Sequence, residues 1–290
     1  MTPFIQFDRV MFGYSPERLV LRDVSFSVGC GDVVAVMGGS GSGKTTLLRL
    51  LMGQEFADSG RVLINGEDVK GFGRKKLAEF RKRMGALFQD GALFGDMTVS
   101  ENVMFPLREH TALPERALLD LAALKLRAVG LGAFGDYMPA QLSGGMARRA
   151  ALARAMALDP ELMLFDEPFS GLDPVSLGQI AELIASAGRA LRATCVMVTH
   201  DVARSLDVSS KAIFLHEGKI AFEGSPEAMR ASTSPLIAGF LSGKGGLGFA
   251  TPTAWPGIEA ETEAETEAES KAATPTRPDD PGPNIKEGRP

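Results

Sequence analysis

The sequence predicts an α/β fold built on a largely parallel β-sheet. Short apolar runs typical of buried strands, such as residues 33–37, 161–165 and 194–198, alternate with helical segments along the chain. Strands that alternate with helices form parallel sheets, and ligands then lie at the carboxyl ends of the strands. Polar side chains at or just beyond such ends are Lys44, Gln89, Asp166, Glu167 and His200. We therefore expect a binding site at the carboxyl edge of the sheet.

The composition is that of an ordinary soluble protein with one large domain or two modest ones. The 290 residues are 44% hydrophobic and 23% charged, and no run approaches the ~18 apolar residues of a membrane-spanning helix. The N-terminus has no basic region before an apolar run, so we expect no secretory signal. Cys30 and Cys195 lie in or beside apolar runs, and we expect both to be buried, reduced thiols without a catalytic or metal role.

The negative charge of the chain is concentrated near its C-terminus. Residues 251–290 hold nine acids and four bases, which accounts for the whole net charge of −5. A body without a basic excess does not indicate a nucleic-acid partner. Repeats of Glu-Ala-Glu-Thr and several prolines predict that residues 242–290 form a flexible, mostly disordered acidic tail. Within it, Phe249 and Trp255 either dock on a neighbouring subunit or stay mobile with the rest.

The stretch 38–45 fits the phosphate-loop pattern G-x-x-x-x-G-K-[ST] at every fixed position. It follows the apolar run 33–37 and precedes a helical segment that ends at Gly53. Glycines in such a loop let backbone N–H groups point at phosphate oxygens, and the helix dipole adds positive potential there. Lys44 would reach the β- and γ-phosphates, and the Thr45 hydroxyl would ligate Mg²⁺. The alternative is a chance match in a glycine-rich chain, which the flanking strand and helix disfavour.

The remaining N-terminal segments indicate β-structure. Residues 4–12 alternate loosely, as in an edge strand, and residues 24–28 predict a second strand. Tyr14 follows the first strand and could stack on an adenine, although a plain core tyrosine is the alternative. Residues 61–64 predict a strand that the dipeptide Asn65-Gly66 closes with a tight turn.

The middle of the chain favours helices. Residues 74–83 predict an exposed charged helix, and residues 98–105 and 114–129 have helical patterns. Prolines mark the expected boundaries: Pro106, Pro114 and Pro139. We expect residues 91–140 to form a helical insertion into the α/β body.

A second glycine motif precedes a helix predicted over residues 147–158. The sequence Leu142-Ser143-Gly144-Gly145-Met146 places a helix N-terminus where an anion could bind. Within that helix we expect Arg148 and Arg149 to form salt bridges. The alternative is that these two arginines act near a bound nucleotide. His110 and His216 have no partner motif, and we expect them at the surface.

Taken in order, these motifs resemble those of ABC-transporter ATPases. The resemblance covers roughly residues 4–240, and the signature motif together with His200 separates this family from other phosphate-loop proteins. The matching segments are the aromatic loop at Tyr14, Walker A at 38–45, the Q-loop at Gln89, the signature at 142–145, Walker B at Asp166-Glu167, the D-loop at 170–173 and the H-loop at His200.

The resemblance implies a fold and a division of the chain. It implies a phosphate-loop NTPase core with a mostly parallel sheet, an antiparallel β subdomain and a helical signature subdomain at about 91–158. The ATPase domain would span residues 1–241, with the tail at 242–290 outside it.

It also implies an Mg-ATP site with assigned roles. The nucleotide-binding residues would be Tyr14, Gly38, Gly39, Ser40, Gly41, Ser42, Gly43, Lys44, Thr45, Thr46, Gln89, Ser143, Gly144, Gly145 and Asp173. The magnesium ligands would be Thr45, Gln89 and Asp166, and the catalytic residues Lys44, Glu167 and His200. Glu167 would be the general base, because adjacent strand residues point to opposite sides and Asp166 would serve the metal. The Ser143-Gly144-Gly145 cradle would close over the ATP of a second copy in a head-to-tail dimer.

A finer resemblance points to the ATPases of the Mla phospholipid transport system. It rests on residues 87–94, 105–111 and 142–149, and on Met146, where most relatives have Gln. It implies a peripheral subunit on the cytoplasmic face of the bacterial inner membrane that energises phospholipid movement between the inner and outer membranes. The implied partners are a second copy of the chain, an integral membrane permease, an MCE-domain protein and a small cytoplasmic accessory subunit.

Two alternative functions fit parts of the same pattern. One is an ABC ATPase that energises a small-solute permease of the amino-acid type. The other is a soluble ABC ATPase acting on DNA or ribosomes, which is disfavoured because the chain has one phosphate loop, one signature and no sustained heptads.

Overall fold

Two β-sheets with flanking helices organise residues 2–15 and 17–242, the part of the chain that the computed structural model describes. The strands are β1 (Ile5–Ser15), β2 (Arg18–Val28), β3 (Val33–Met37), β4 (Ser59–Ile64), β5 (Glu67–Asp68), β6 (Met84–Leu87), β7 (Leu162–Asp166), β8 (Thr194–Thr199), β9 (Lys211–His216) and β10 (Lys219–Gly224). The helices are α1 (Lys44–Leu51), α2 (Arg74–Lys82), α3 (Val99–His110), α4 (Glu115–Ala128), α5 (Gly144–Ala155), α6 (Pro174–Leu191), α7 (Val202–Val208), α8 (Pro226–Arg230) and α9 (Pro235–Leu241).

The larger sheet confirms the predicted α/β fold. Its strand order is β10-β9-β3-β8-β7-β6, and all neighbours are parallel except the terminal pair β9 and β10. Alternate residues of β3 face two separate hydrophobic cores. Val34 and Val36 pack in the core beside α1, whereas Ala35 and Met37 pack in the core beside the helices from α3 to α9. Because both faces are covered, the strand is an uninterrupted apolar run.

The smaller sheet is antiparallel, with the order β2-β1-β4-β5. The predicted edge position of the first strand is wrong, because β1 lies between β2 and β4. Its alternation reflects one buried face, on which Phe7 stacks against Phe26 with ring centroids 4.5 Å apart. The predicted turn at Asn65-Gly66 is confirmed, since both residues have positive φ and β4 pairs with β5 across them.

The helices α3, α4 and α5 occupy the middle of the chain, as predicted, but with different bounds. α3 begins with a capping box formed by Thr98 and Glu101, and it continues through Pro106, so the expected boundary there is wrong. Burial of Met104 and Leu107 on either side of the proline stabilises the continuous helix despite the lost backbone bond. No helix among the described residues is long and apolar enough to cross a membrane.

The two cysteines differ in environment. Cys195 is buried in β8, and burial raises the pKa of its thiol to about 12. Cys30 is exposed, so its predicted burial is wrong. It lies in the turn between β2 and β3, where the Gly29 amide donates to the Asp32 carboxylate at 2.8 Å. The apolar strands on either side gave no indication that the turn itself faces solvent.

The predicted tail, apart from its first residue, Ser242, lies outside the described residues. The expectations for residues 243–290, including those for Phe249 and Trp255, therefore stay predictions.

Candidate functional site

The phosphate loop connects β3 to α1, and its backbone geometry depends on glycine. Gly43 caps α1 with φ 107°, and Gly41 has φ 74°, both in the left-handed region. A side chain at Gly38 would collide with the carbonyl oxygen of Leu215 and with Ser42. The loop therefore keeps its main chain close to the neighbouring strand, with backbone N–H groups at the start of a helix, where an anion is favoured.

Lys44 places a positive charge inside this loop. Its Nζ donates to the carbonyl oxygens of Gly38 and Gly39, each at 2.9 Å, and the residue is only 9% exposed. Burial lowers the pKa of the ammonium, while the nearby charges of Glu167 and Asp166 oppose that shift. The two carboxylates thus favour the charged form of a buried amine at the point where phosphates would lie.

Asp166 ends β7 beside the start of α1. Burial and the charge of Glu167 raise the pKa of its carboxyl, against the opposing effects of Lys44 and a hydrogen bond with Thr45. A carboxylate and a hydroxyl side by side are oxygen donors that suit Mg²⁺. The described residues hold no group of three or more His, Cys, Asp or Glu side chains that could hold a metal alone. An ion at Thr45 and Asp166 would therefore need phosphate or water oxygens as well, which is how Mg²⁺ usually binds with a nucleotide.

Glu167 departs from the strand that precedes it. β7 ends at Asp166, and Glu167 has φ 48°, a left-handed conformation that is uncommon outside glycine. Its amide donates to the Val198 carbonyl at 2.9 Å. The sequence predicts that Asp166 and Glu167 point to opposite sides because they would be adjacent residues of one strand. That reason is wrong, because Glu167 lies beyond the strand and the left-handed turn sets the direction of its side chain.

His200 contacts the Glu167 carboxylate twice. The carboxylate accepts from the His200 amide at 3.2 Å and lies 2.8 Å from Nδ1 of its ring. Glu167 is 16% exposed and His200 is 66% exposed. β7 and β8 are neighbours in the sheet, so both residues lie at the same carboxyl edge as the phosphate loop. Gln89, two residues beyond β6, follows another strand of this edge.

Tyr14 lies inside β1 and lines an open cleft beside the loop. The cleft has a volume of about 690 Å³, and its lining includes Tyr14 and the loop residues from Gly41 to Thr46. The Tyr14 hydroxyl lies 3.3 Å from Thr46 Oγ1 and accepts from Arg49 at 3.1 Å. Its ring is 50% exposed and meets Phe12 edge to face. An exposed ring held by its hydroxyl fits a stacking platform better than a core tyrosine.

Sequence reasoning missed part of this cleft. Four residues of β2 line it, Arg18, Leu19, Val20 and Arg22, and Glu217 and Gly218 close it from the turn between β9 and β10. Three of the four, Arg18, Val20 and Arg22, recur with the period of two that marks one face of a strand. That spacing was visible in the sequence, but nothing local related this strand to a loop twenty residues later.

The second glycine motif lies outside the cleft lining in the described part of the chain. Ser143 caps α5 by accepting from the Met146 amide at 3.3 Å, so the helix starts at Gly144 and not at residue 147 as predicted. A Cβ at Gly145 would lie 2.6 Å from Ser176 Oγ, near the start of α6. Asp173 caps α6 by accepting from the amides of Val175 and Ser176. Hydrogen bonding by the Ser176 side chain, and then by these amides, lowers the pKa of its carboxyl.

The predicted salt bridges of Arg148 and Arg149 are wrong. Neither arginine forms an ion pair with a described residue. Both donate instead to backbone carbonyls. Arg148 reaches Phe88 and Ser170, each at 3.1 Å, and Arg149 reaches Val129 at 3.1 Å. Buried guanidinium groups satisfy their donors with whatever acceptors are near, and helix periodicity does not reveal acceptors from other segments.

Comparisons with known proteins agree with this geometry. A family model described as "ABC transporter" matches residues 21–170. The chain is 49% identical over 227 residues to the "Intermembrane phospholipid transport system ATP-binding protein MlaF" of Escherichia coli K12, covering 78% of this chain and 84% of the relative. It is 46% identical over 228 residues to the protein of the same name from Haemophilus influenzae, covering 79% and 86%.

A solved structure shows the same fold. It is described as the dimeric post-hydrolysis state of the ATP-binding cassette MJ0796 bound to ADP and Pi. The similarity has a TM-score of 0.70 at 29% identity and covers 77% of this chain and 98% of that one.

Proposed function

Because the chain belongs to the ABC transporter family of ATPases, we propose that it hydrolyses Mg-ATP to drive phospholipid movement between the inner and outer membranes of a bacterium. The observation that carries the ATPase assignment is the convergence of Lys44, Asp166 and the Glu167–His200 pair at one edge of the sheet. The cargo assignment is supported by the similarity to a phospholipid-transport ATPase over 84% of that protein's length. The ATPase domain is assigned to residues 1–241, with a tail at 242–290.

In this proposal the loop from Gly38 to Thr46 binds the phosphates of ATP, and Tyr14 stacks on the adenine. Lys44 neutralises charge on the β- and γ-phosphates from inside the loop. Mg²⁺, held by Thr45, Asp166 and Gln89, would supply further charge neutralisation when bound. The left-handed turn at Glu167 and the contact of its carboxylate with His200 give this acid surroundings that differ from those of Asp166, so that the two acids can serve different purposes.

Glu167 acts as the general base in the proposed reaction. A water attacks the γ-phosphorus, and the carboxylate of Glu167 accepts a proton from that water as the bond to the β-phosphate oxygen breaks. His200 contacts Glu167 through Nδ1, so a hydrogen bond from Nε2 to the γ-phosphate requires both ring nitrogens to carry protons. The pair therefore orients the base and the transferred group together.

The active species is a head-to-tail dimer of two copies. Ser143, Gly144 and Gly145 lie outside the cleft of their own chain, so the proposal has them close over the ATP of the partner copy, with Asp173 at the seam. A related cassette that is dimeric with ADP and Pi bound supports this arrangement.

The partners are those of an ABC transporter of this type. We assign the chain to the cytoplasmic face of the inner membrane, where it would bind an integral permease, with an MCE-domain protein and a small cytoplasmic subunit in the same complex. The neighbouring genes offer an independent check. A periplasmic amino-acid-binding protein beside the permease would instead favour the small-solute alternative.

The experiment measures ATP-driven transfer of fluorescent phospholipid by the assembled complex in vesicles that contain this lipid. We expect transfer to require hydrolysable ATP and an intact Glu167. ATP hydrolysis without lipid transfer, combined with transfer of an amino acid, would refute the cargo and retain the ATPase. A complex that does not hydrolyse ATP would refute the ATPase assignment itself.

A further inference from the structure

Arg148 connects two catalytic turns through one buried guanidinium group. It lies on α5, five residues after Ser143, and is only 8% exposed. One terminal nitrogen donates to the Phe88 carbonyl at 3.1 Å, and the other donates to the Ser170 carbonyl at 3.1 Å. Phe88 immediately precedes Gln89, and Ser170 lies three residues after Glu167.

Both acceptors belong to tight turns. The Phe88 carbonyl also accepts from the Gly91 amide at 2.9 Å, which closes the turn around Gln89. The Ser170 amide donates to the Glu167 carbonyl at 3.2 Å, which closes the turn that starts at the left-handed Glu167. A displacement of either carbonyl therefore moves the turn that positions Gln89 or Glu167.

A second arginine of α5 holds the Gln89 turn at its other end. Arg154 donates to the Gly91 carbonyl at 2.9 Å and to the Ala92 carbonyl at 2.8 Å. The Gln89 turn is thus attached to α5 at both ends. The Glu167 turn contacts α5 through Arg148. After that turn the chain enters α6, where Ser176 lies close to Gly145 of α5. Arg148 donates to one carbonyl in each turn.

We propose that Arg148 is a positioning residue that holds the Gln89 turn and the Glu167 turn in fixed positions relative to α5. The inference deepens the proposed function and rests on it, because α5 begins with the residues assigned to the partner's ATP. A shift of α5 when it meets that nucleotide would then reach both turns at once. Separating either turn from Arg148 would leave a nitrogen of its buried guanidinium group unpaired, which is unfavourable.

The planar guanidinium fork donates to the two carbonyls from two separate nitrogens. Lysine keeps the charge but has a single donor nitrogen, so it cannot reproduce the two contacts from separate atoms. Arg149 provides a matched control. It is the next residue of the same helix, it also donates to one backbone carbonyl, and its acceptor Val129 belongs to neither turn.

The test compares R148Q, R148K and R149Q in the full chain with four measurements. These are thermal unfolding, ATP affinity, kcat against KM in the assembled complex, and amide hydrogen exchange in the segments 88–92 and 167–173. For both Arg148 variants we expect kcat to fall by roughly 10- to 10²-fold, since small misplacements of catalytic groups have effects of this size. We expect KM to be unchanged and amide exchange to be faster in both segments. In R149Q we expect neither the loss of kcat nor the faster exchange.

The outcomes separate this proposal from the proposed function. Unchanged exchange in the two segments, or faster exchange in R149Q to the same extent, would overturn the positioning role. Full kcat in R148K would also overturn it, because the charge alone would then suffice. If the unmodified complex hydrolysed no ATP, the proposed function would fail, whereas the exchange comparison would still decide whether Arg148 holds the two turns together.

Discussion

The Glu167 carboxylate lies 2.8 Å from Nδ1 of His200, and the same carboxylate accepts from the His200 amide. The two residues follow neighbouring parallel strands, so their separation is set by the sheet. His200 is largely exposed, whereas Glu167 is mostly covered. An exposed ring can therefore meet a ligand while its inner nitrogen keeps the carboxylate in place.

Replacing Glu167 with Gln should abolish most turnover without abolishing ATP binding. The amide keeps the shape and the contact to the His200 amide but cannot accept a proton from water. General-base assistance contributes roughly 10²- to 10⁴-fold, so kcat in the assembled complex should fall by about that factor. Measured ATP affinity should stay near that of the unmodified protein. Turnover at the unmodified rate would show that another group is the base.

Replacing His200 with Ala should lower kcat while leaving the fold intact. The side chain is exposed, so its removal takes away no core packing. The melting temperature of the variant should therefore match that of the parent. The Glu167 carboxylate then loses its contact with Nδ1, and the γ-phosphate loses its proposed partner. His110 is the matched control, because it is exposed at the end of α3. Equal kcat losses in H200A and H110A would contradict a specific role.

Replacing Asp166 with Asn should stabilise the nucleotide-free protein at neutral pH. Burial raises the pKa of Asp166, so its ionised form disfavours the folded state above the raised pKa, and this penalty disappears as the carboxyl becomes protonated. The melting temperature of D166N should therefore exceed that of the parent at pH 7, and the difference should shrink as the pH falls through the raised pKa toward the ordinary 3.8.

The same substitution should weaken binding of ATP in the presence of Mg²⁺, because the amide is a poorer ligand than the carboxylate. Binding measured with and without the metal checks this expectation. A variant that is no more stable than the parent at pH 7, yet binds Mg-ATP normally, would contradict both parts of the assignment.

Tyr14 variants should separate the ring from its hydroxyl. Stacking of a base on an aromatic ring contributes about 1–3 kcal/mol by alanine substitution, so Y14A should weaken ATP binding by that amount in isothermal titration. Y14F keeps the ring and its contact with Phe12 but loses the hydroxyl contacts to Thr46 and Arg49. We expect Y14F to keep most of the affinity. Equal losses in both variants would mean that the hydroxyl, and not the stack, matters.

Much of this architecture follows from local sequence signals. The phosphate loop, the strand before it and the helix after it are specified by adjacent residues, because glycine conformations and apolar runs act over short distances. The caps at Ser143 and Asp173 are equally local. These signals predicted the loop and the carboxyl edge at which Asp166, Glu167 and His200 lie.

Other features depend on partners distant in sequence. The central place of β1 is set by its pairing with β4, and alternation alone cannot distinguish a central strand from an edge. The left-handed turn at Glu167 is held by a bond from its amide to Val198 in another strand. Arg148 finds its acceptors 60 and 22 residues away. No pattern within a single helix could have indicated them.

The place of β3 in the sheet has a consequence for synthesis on the ribosome. This strand leads into the phosphate loop, but its two hydrogen-bonded neighbours are β8 and β9, which begin at Thr194 and Lys211. Until the ribosome has synthesised these residues, the nascent chain contains the phosphate loop but lacks the two strands that flank β3. Pairings so distant in sequence close late during folding. The phosphate loop of each new molecule therefore acquires its final surroundings only after most of the chain has been made.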